Sequence, residues 1–325
     1  MQYHWPLIGH HRIKEYFTKA FAQGRIHHAY LFEGPAHVGK FTFATMLAKT
    51  LICEGTNEIV PCEICRACQA FTRGVHPDCV WLTQGEKPSV SIEEVREFIH
   101  TLSTKPLLSK VRIGILEDAA SVTEEASHAL LKTLEEPSLH VVLFLVTSTP
   151  LLPTIASRCQ TIRFGLVSEE ELQRHVASLP DAQTIVASAG GRPGLALAMQ
   201  DPLVYSAYKA SLQDVAEVLA SDEPKRLLWT VREFGGTGAD RATRRDAARE
   251  FIDRSEQFLR ERLHFLSLDK GKRPEGGFVR RLVADSPVEL KSARTILHKI
   301  ESARGLLRAN VDPRLVCEYL LLEHE

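Results

Sequence analysis

His28-Ala-Tyr-Leu-Phe-Glu-Gly34-Pro-Ala-His-Val-Gly39-Lys40-Phe41-Thr42 is the stretch on which the fold turns. Tyr30, Leu31 and Phe32 are strand formers in a short apolar run, and Phe41 to Lys49 reads as a helix. Between them lies a glycine-bounded turn that ends in lysine. Strand, glycine-rich turn, lysine and helix, in that order, make a phosphate-binding loop. Glycines let successive backbone N–H groups converge without Cβ clashes, the helix N-terminus adds partial positive charge, and the lysine reaches the outer phosphates. The pattern also requires Ser or Thr after the lysine, to ligate Mg²⁺. Phe41 stands there instead. Thr42 is one residue further on, about 100° round a helix, and does not simply take its place.

Further along the chain, Val111-Arg-Ile-Gly-Ile-Leu116 reads as a buried strand ending in Glu117-Asp118. A carboxylate at the C-terminal edge of a parallel strand next to the phosphate-binding loop suits a Mg²⁺-handling acid. The usual order is Asp then Glu; here it is reversed, and the bland alternative is a pair of solvated acids. Helices fit His11–Gln23, about 40–52, and from Ser91 to about Ser103, the last opened by a capping box. Glu124–Glu136 is a further helix, closed by Pro137. Strands fit Asp78–Thr83, Val141–Thr147 and Gln160–Phe164. Strands separated by helices predict a doubly wound parallel sheet.

Seven cysteines occur in the 325 residues, and Cys53, Cys62, Cys65 and Cys68 crowd together. An odd, clustered set reads better as a metal site than as a disulfide framework. Three thiols at i, i+3 and i+6 with a fourth nearby can surround one tetrahedral Zn²⁺, and four thiolates leave no open position, so the site would be structural.

From Ser168 onward the periodicity is helical. A small unit covers 168–177, 182–189 and 193–200, and longer helices fit 204–221, 224–234, 241–268, 277–285, 287–310 and 313–323. Gly235–Gly238 and Asp269–Gly277 read as loops. The basic run Arg241–Arg249 suits a solvated helix face better than a nucleic-acid site. With a net charge of −1, contact with polyanions needs a local basic face or a partner. No apolar run reaches bilayer length, and no export signal opens the chain, so a cytoplasmic protein without membrane contact is expected.

By Ser157-Arg158-Cys159 the chain resembles the bacterial DNA polymerase III clamp loader subunits, a branch of the AAA+ proteins. The motifs that carry this are Ile8-Gly9, His28–Phe32, the glycine loop, the four-cysteine insert, Ala129–Pro137, Leu152–Ile155 and Ser157–Cys159. Over about 1–200 they match closely; beyond that the likeness rests on the helical pattern and on Asn310-Val-Asp-Pro313. The resemblance implies an α/β AAA+ domain over 1–165 with a zinc insert at 53–68, a helical lid over 166–202 and an all-α collar over 203–325. It implies a degenerate nucleotide site of Gly34, Gly39, Lys40, Thr42, Glu117 and Asp118, with ATP and Mg²⁺ as its ligands. It makes Arg158 an arginine finger acting in trans, away from Lys40.

Within the family, an ATP-hydrolysing gamma/tau motor carries Lys-Thr, Asp-Glu and a lid arginine. This chain has Lys40-Phe41, Glu117-Asp118 and Gly194 at those places, with Arg192 two residues early. These departures resemble delta-prime, a subunit that often has a damaged nucleotide site. The implied partners are gamma/tau and delta subunits, the sliding clamp and primed DNA. A motor ATPase and a stand-alone zinc-containing DNA-binding regulator are the rival readings.

Overall fold

A computed structural model describes residues 2–55, 58–85, 89–177, 182–235, 241–268 and 278–322. The expected loop 269–277 and most of the one at 235–238 lie outside the described residues, as does the end of the last helix at Glu323. Along the chain run β1 (Gln2–Tyr3), α1 (His11–Ala22), β2 (Ala29–Glu33), α2 (Lys40–Ile52), β3 (Ile59–Val60) and α3 (Arg66–Thr72). Then follow β4 (Cys79–Leu82), α4 (Ile92–Ser103), β5 (Arg112–Leu116), α5 (Glu124–Glu135), β6 (Val141–Thr147), α6 (Pro153–Ala156) and β7 (Gln160–Arg163). The rest is helical: α7 (Glu169–Val176), α8 (Ala182–Ala189), α9 (Pro193–Ala198), α10 (Pro202–Ala220), α11 (Glu223–Phe234), α12 (Arg241–Ser267), α13 (Phe278–Asp285), α14 (Leu290–Arg308) and α15 (Pro313–Leu321).

The residues divide into two compact units. One comprises Met1–Leu172 with Gly191–Gly194; the other comprises Gln173–Gly190 and Leu195–Glu325. The first is built on a parallel sheet in the order β4-β5-β6-β2-β7. Its continuous apolar strands follow from burial on both faces. Tyr30 and Phe32 of β2, with Val142, Phe144 and Val146 of β6, face a cluster that also holds Trp5, Phe17, Phe43 and Phe164. Ala29, Leu31, Leu143 and Leu145 face the opposite cluster, with Phe98, Leu102, Leu130 and Leu134 of α4 and α5. Side chains alternate along a strand, so one run feeds two cores.

Glu117-Asp118 follow β5 at the carboxyl edge of the parallel sheet, and β6 lies between β5 and the loop-bearing β2. A further element had no sequence signal: β1 and β3 pair in parallel, Gln2 with Ile59 and Tyr3 with Val60. Two-residue strands are too short to show a period.

The second unit packs helices around buried arginines that satisfy helix-end carbonyls, which lack intrahelical partners. Arg226 donates to Leu219 O and Leu321 O at 2.8 and 2.9 Å, and Arg262 donates to Val283 O at 2.8 Å. Asn310 takes the left-handed conformation (φ 65°) beyond α14, and Asp312 then caps α15 ahead of Pro313. The basic run at 241–249 is not simply a solvated face. Arg245 is 7% exposed and donates to Asn310 Oδ1 at 3.0 Å, while Arg244 donates to Phe234 O.

Candidate functional site

The loop between β2 and α2 needs its glycines for stated reasons. At Gly34 (φ 152°) a Cβ would lie 2.2 Å from Phe164 O, a backbone atom that cannot step aside. Gly39 (φ 95°) is the N-cap of α2, and a Cβ there would meet Leu7 at 2.6 Å. His37 is also left-handed (φ 62°).

Lys40 does not extend into open space. Its ammonium donates to Gly34 O at 2.7 Å, Pro35 O at 2.5 Å and Ser148 Oγ at 3.2 Å. It is 5% exposed, and burial pulls its pKa down to about 8 against an opposing pull from Asp118. The loop is braced from two other directions. His10 Nε2 donates to Val38 O at 3.0 Å, and the Gly194 N–H donates to His37 O at 2.8 Å. A Cβ at position 194 would sit 3.0 Å from that same His37 oxygen.

Phe41, where the motif has a hydroxyl, turns into the protein and meets Trp81, ring centroids 6.0 Å apart. Trp81 in turn contacts Phe71 of α3 at 5.4 Å. Thr42 lies on the exposed side of α2. Of the two acids, Glu117 is exposed, while Asp118 caps a short turn by accepting from the Ala120 N–H at 3.1 Å. The structure therefore gathers Gly34, Gly39, Lys40 and, through its charge, Asp118. It turns Thr42 outward.

Arg158 follows α6. Its Nη2 lies 2.6 Å from Glu135 Oε1, and its Nη1 donates to Thr154 O at 2.8 Å. The side chain keeps 35% of its surface exposed.

Cys53, Cys62, Cys65 and Cys68 bring four sulfurs within 4.8 Å of one another. Tetrahedral Zn–S bonds of about 2.3 Å would put sulfurs about 3.8 Å apart, so modest contraction suffices to enclose an ion. Backbone N–H groups of Cys62, Cys65 and Cys68 each point at the preceding thiol at 3.4 Å. Burial pushes the Cys65 thiol up, but the N–H groups of Cys68 and Glu54 and the neighbouring thiols outweigh it and hold it at about 7. The four-cysteine set can hold a metal ion.

Sequence reasoning passed over three contributors. Ser148 lies just past β6, at the carboxyl edge where a hydroxyl has a ligand-facing prior. Trp81 carried no motif. Gly55 looked like an ordinary loop glycine, yet a Cβ there would lie 2.7 Å from Cys62 Sγ and 3.5 Å from Cys53 Sγ.

A parallel five-stranded sheet with this loop after β2 is the architecture of a P-loop α/β domain. Residues 9–168 match the family described as DNA polymerase III, delta subunit. The chain is 38% identical over 180 residues to DNA polymerase III subunit delta' of Bacillus subtilis, covering 52% of this chain and 54% of that one. It is 33% identical over 168 residues to subunit gamma of Buchnera aphidicola subsp. Schizaphis graminum, covering 51% and 46%. It is 28% identical over 248 residues to subunit tau of Escherichia coli, covering 72% and 38%. The chain spans about half the length, or less, of these relatives. Over residues 9–168 the chain is thus similar to the clamp loader subunits of DNA polymerase III. Among the described residues no helix is long and apolar enough to cross a membrane.

Proposed function

We propose that this chain is a delta-prime-like stator of the replicative clamp loader, acting in the cytoplasm. It hydrolyses little or no ATP itself. Its Arg158 acts on ATP held by a neighbouring gamma/tau-type subunit while the ring, which includes delta, loads the sliding clamp onto primed DNA. The observation that carries this reading is the loop of residues 34–41. Lys40 spends its ammonium on the loop's own carbonyls, and Phe41 is packed against Trp81 where a magnesium ligand is needed. Phosphoryl transfer needs metal, positioned water and charge stabilisation together. Gly194, standing where a motor has its lid arginine, supports the reading further by bracing His37.

Arg158 suits the trans role. Its planar, permanently charged fork bridges phosphate oxygens, and a finger supplied across an interface is worth roughly 10³–10⁵ in rate, about 4–7 kcal/mol. Its exposed ion pair with Glu135 engages one nitrogen of the guanidinium, so N–H donors remain for a phosphate. The three-part division into a domain over 1–165, a lid over 166–202 and a collar over 203–325 belongs to the same proposal, with the collar as ring contact. So does Zn²⁺ as the structural ion on Cys53, Cys62, Cys65 and Cys68.

The test is ATP turnover by the purified full-length chain alone, beside its Lys40→Ala variant. The expected result is negligible turnover in both. Turnover at about 1 s⁻¹ or more, ordinary for enzymes of this kind and abolished by Lys40→Ala, would show a motor subunit instead.

A further inference from the structure

Arg158 is gripped by two elements. Glu135, the last residue of α5, takes Nη2, and the Thr154 carbonyl of α6 takes Nη1. A weaker contact runs from Nη1 to Ser157 Oγ at 3.4 Å. A guanidinium carries five N–H donors, so this grip leaves donors for an anion, and 35% of the side chain remains open to one. The contacts fix direction without exhausting capacity.

The position of Glu135 gives a second, independent reason. Glu135 ends α5 and Glu136 follows as its C-cap. Carboxylates there face the negative end of the helix dipole, so helix stability does not account for them. The guanidinium supplies the missing counter-charge.

We propose that Glu135 is a positioning residue for Arg158, holding the guanidinium in the orientation it presents to the phosphate of a nucleotide on a neighbouring subunit. The proposal rests on the trans-acting role given to Arg158 above. A free arginine side chain loses rotamer freedom when it docks, and one already oriented loses less, so the benefit falls in the chemical step. An exposed ion pair adds little to folding. Loss of Glu135 is therefore read in turnover and not in stability.

The experiment uses the full-length chain assembled with its ATPase partner subunits, co-elution checking assembly. The turnover that depends on Arg158 is the difference between the wild-type and Arg158→Ala complexes. Glu135→Ala is expected to reduce that part about tenfold in kcat, with KM for ATP unchanged and the melting temperature of the free chain unmoved. Glu135→Gln, which keeps an acceptor oxygen, recovers most of it. In the Arg158→Ala background, Glu135→Ala has no further effect. Full or raised turnover in Glu135→Ala, with a clear deficit in Arg158→Ala, overturns the positioning role and leaves the finger standing. Full turnover in Arg158→Ala overturns the finger itself.

Discussion

Lys40 is a cation held by neutral oxygens in a nearly dry place, and this has a consequence in pH. Burial brings its pKa to about 8, against 10.5 for the free side chain. Between those values the unfolded chain binds a proton that the folded chain has released, so stability rises with pH across that window. The full effect is worth up to about 3 kcal/mol. Lys40→Met is expected to flatten the rise, measured as urea midpoints from about pH 8 to pH 10; an unchanged slope would refute the assignment. Gly55 is the other residue with a sharp expectation. Gly55→Ala forces a methyl against Cys62 and is expected to weaken metal binding at least tenfold in competition with a chelator, while native affinity would refute it. The departures at Phe41 and Gly194 were legible in the sequence because a motif defines what belongs there. The partners of Lys40 were not. A phosphate-loop pattern presumes a lysine aimed at phosphate, and only the folded path of Gly34, Pro35 and Ser148 offers it oxygens closer to hand.

At the level of elements, strands and helices were readable wherever a period or a cap ran for more than one turn. The capping box at Ser91–Glu94 is present as read, with the Ser91 N–H donating to Glu94 at 2.8 Å. The strand order was not readable, because nothing local to β5 records that β6 intervenes before β2. The four-cysteine insert was visible from spacing alone, but its link to the N-terminus was not. β3 within the insert pairs with β1, and Trp5 just beyond β1 donates to Thr50 of α2 at 3.0 Å. A metal on the cysteines is therefore expected to steady the start of the chain. Zinc analysis is expected to give about one equivalent per chain. Removing it with a chelator is expected to speed amide exchange at Tyr3, Ile59 and Val60. Metal content well under one equivalent, or exchange that ignores the chelator, would contradict this.

For the whole molecule, in the proposed stator role the nucleotide loop is silent and Arg158 works only within the assembled complex. In the second unit α11 leaves Leu227, Leu228 and Val231 at 40%, 67% and 40% exposure along one face. Leu228 also lines a cleft of about 310 Å³ with Trp229 and Arg232. Such a face suits the ring contact assigned to residues 203–325. Leu228→Asp is expected to leave the free chain folded and to weaken its entry into the complex at least tenfold by co-elution; unchanged entry would move the contact elsewhere. Sequence alone could suggest a helical collar but not which face stays open, since a 3.6-residue period marks an apolar face without saying what covers it. The central claim, a stator that supplies one arginine to a neighbour's ATP, is tested most directly by ATP turnover of the assembled complex in the presence of clamp and primed DNA. With Arg158→Ala in this chain alone, assembly should be intact and a fixed part of the turnover lost, the remainder coming from interfaces that carry their own arginines. Full stimulated turnover in that complex would contradict the account.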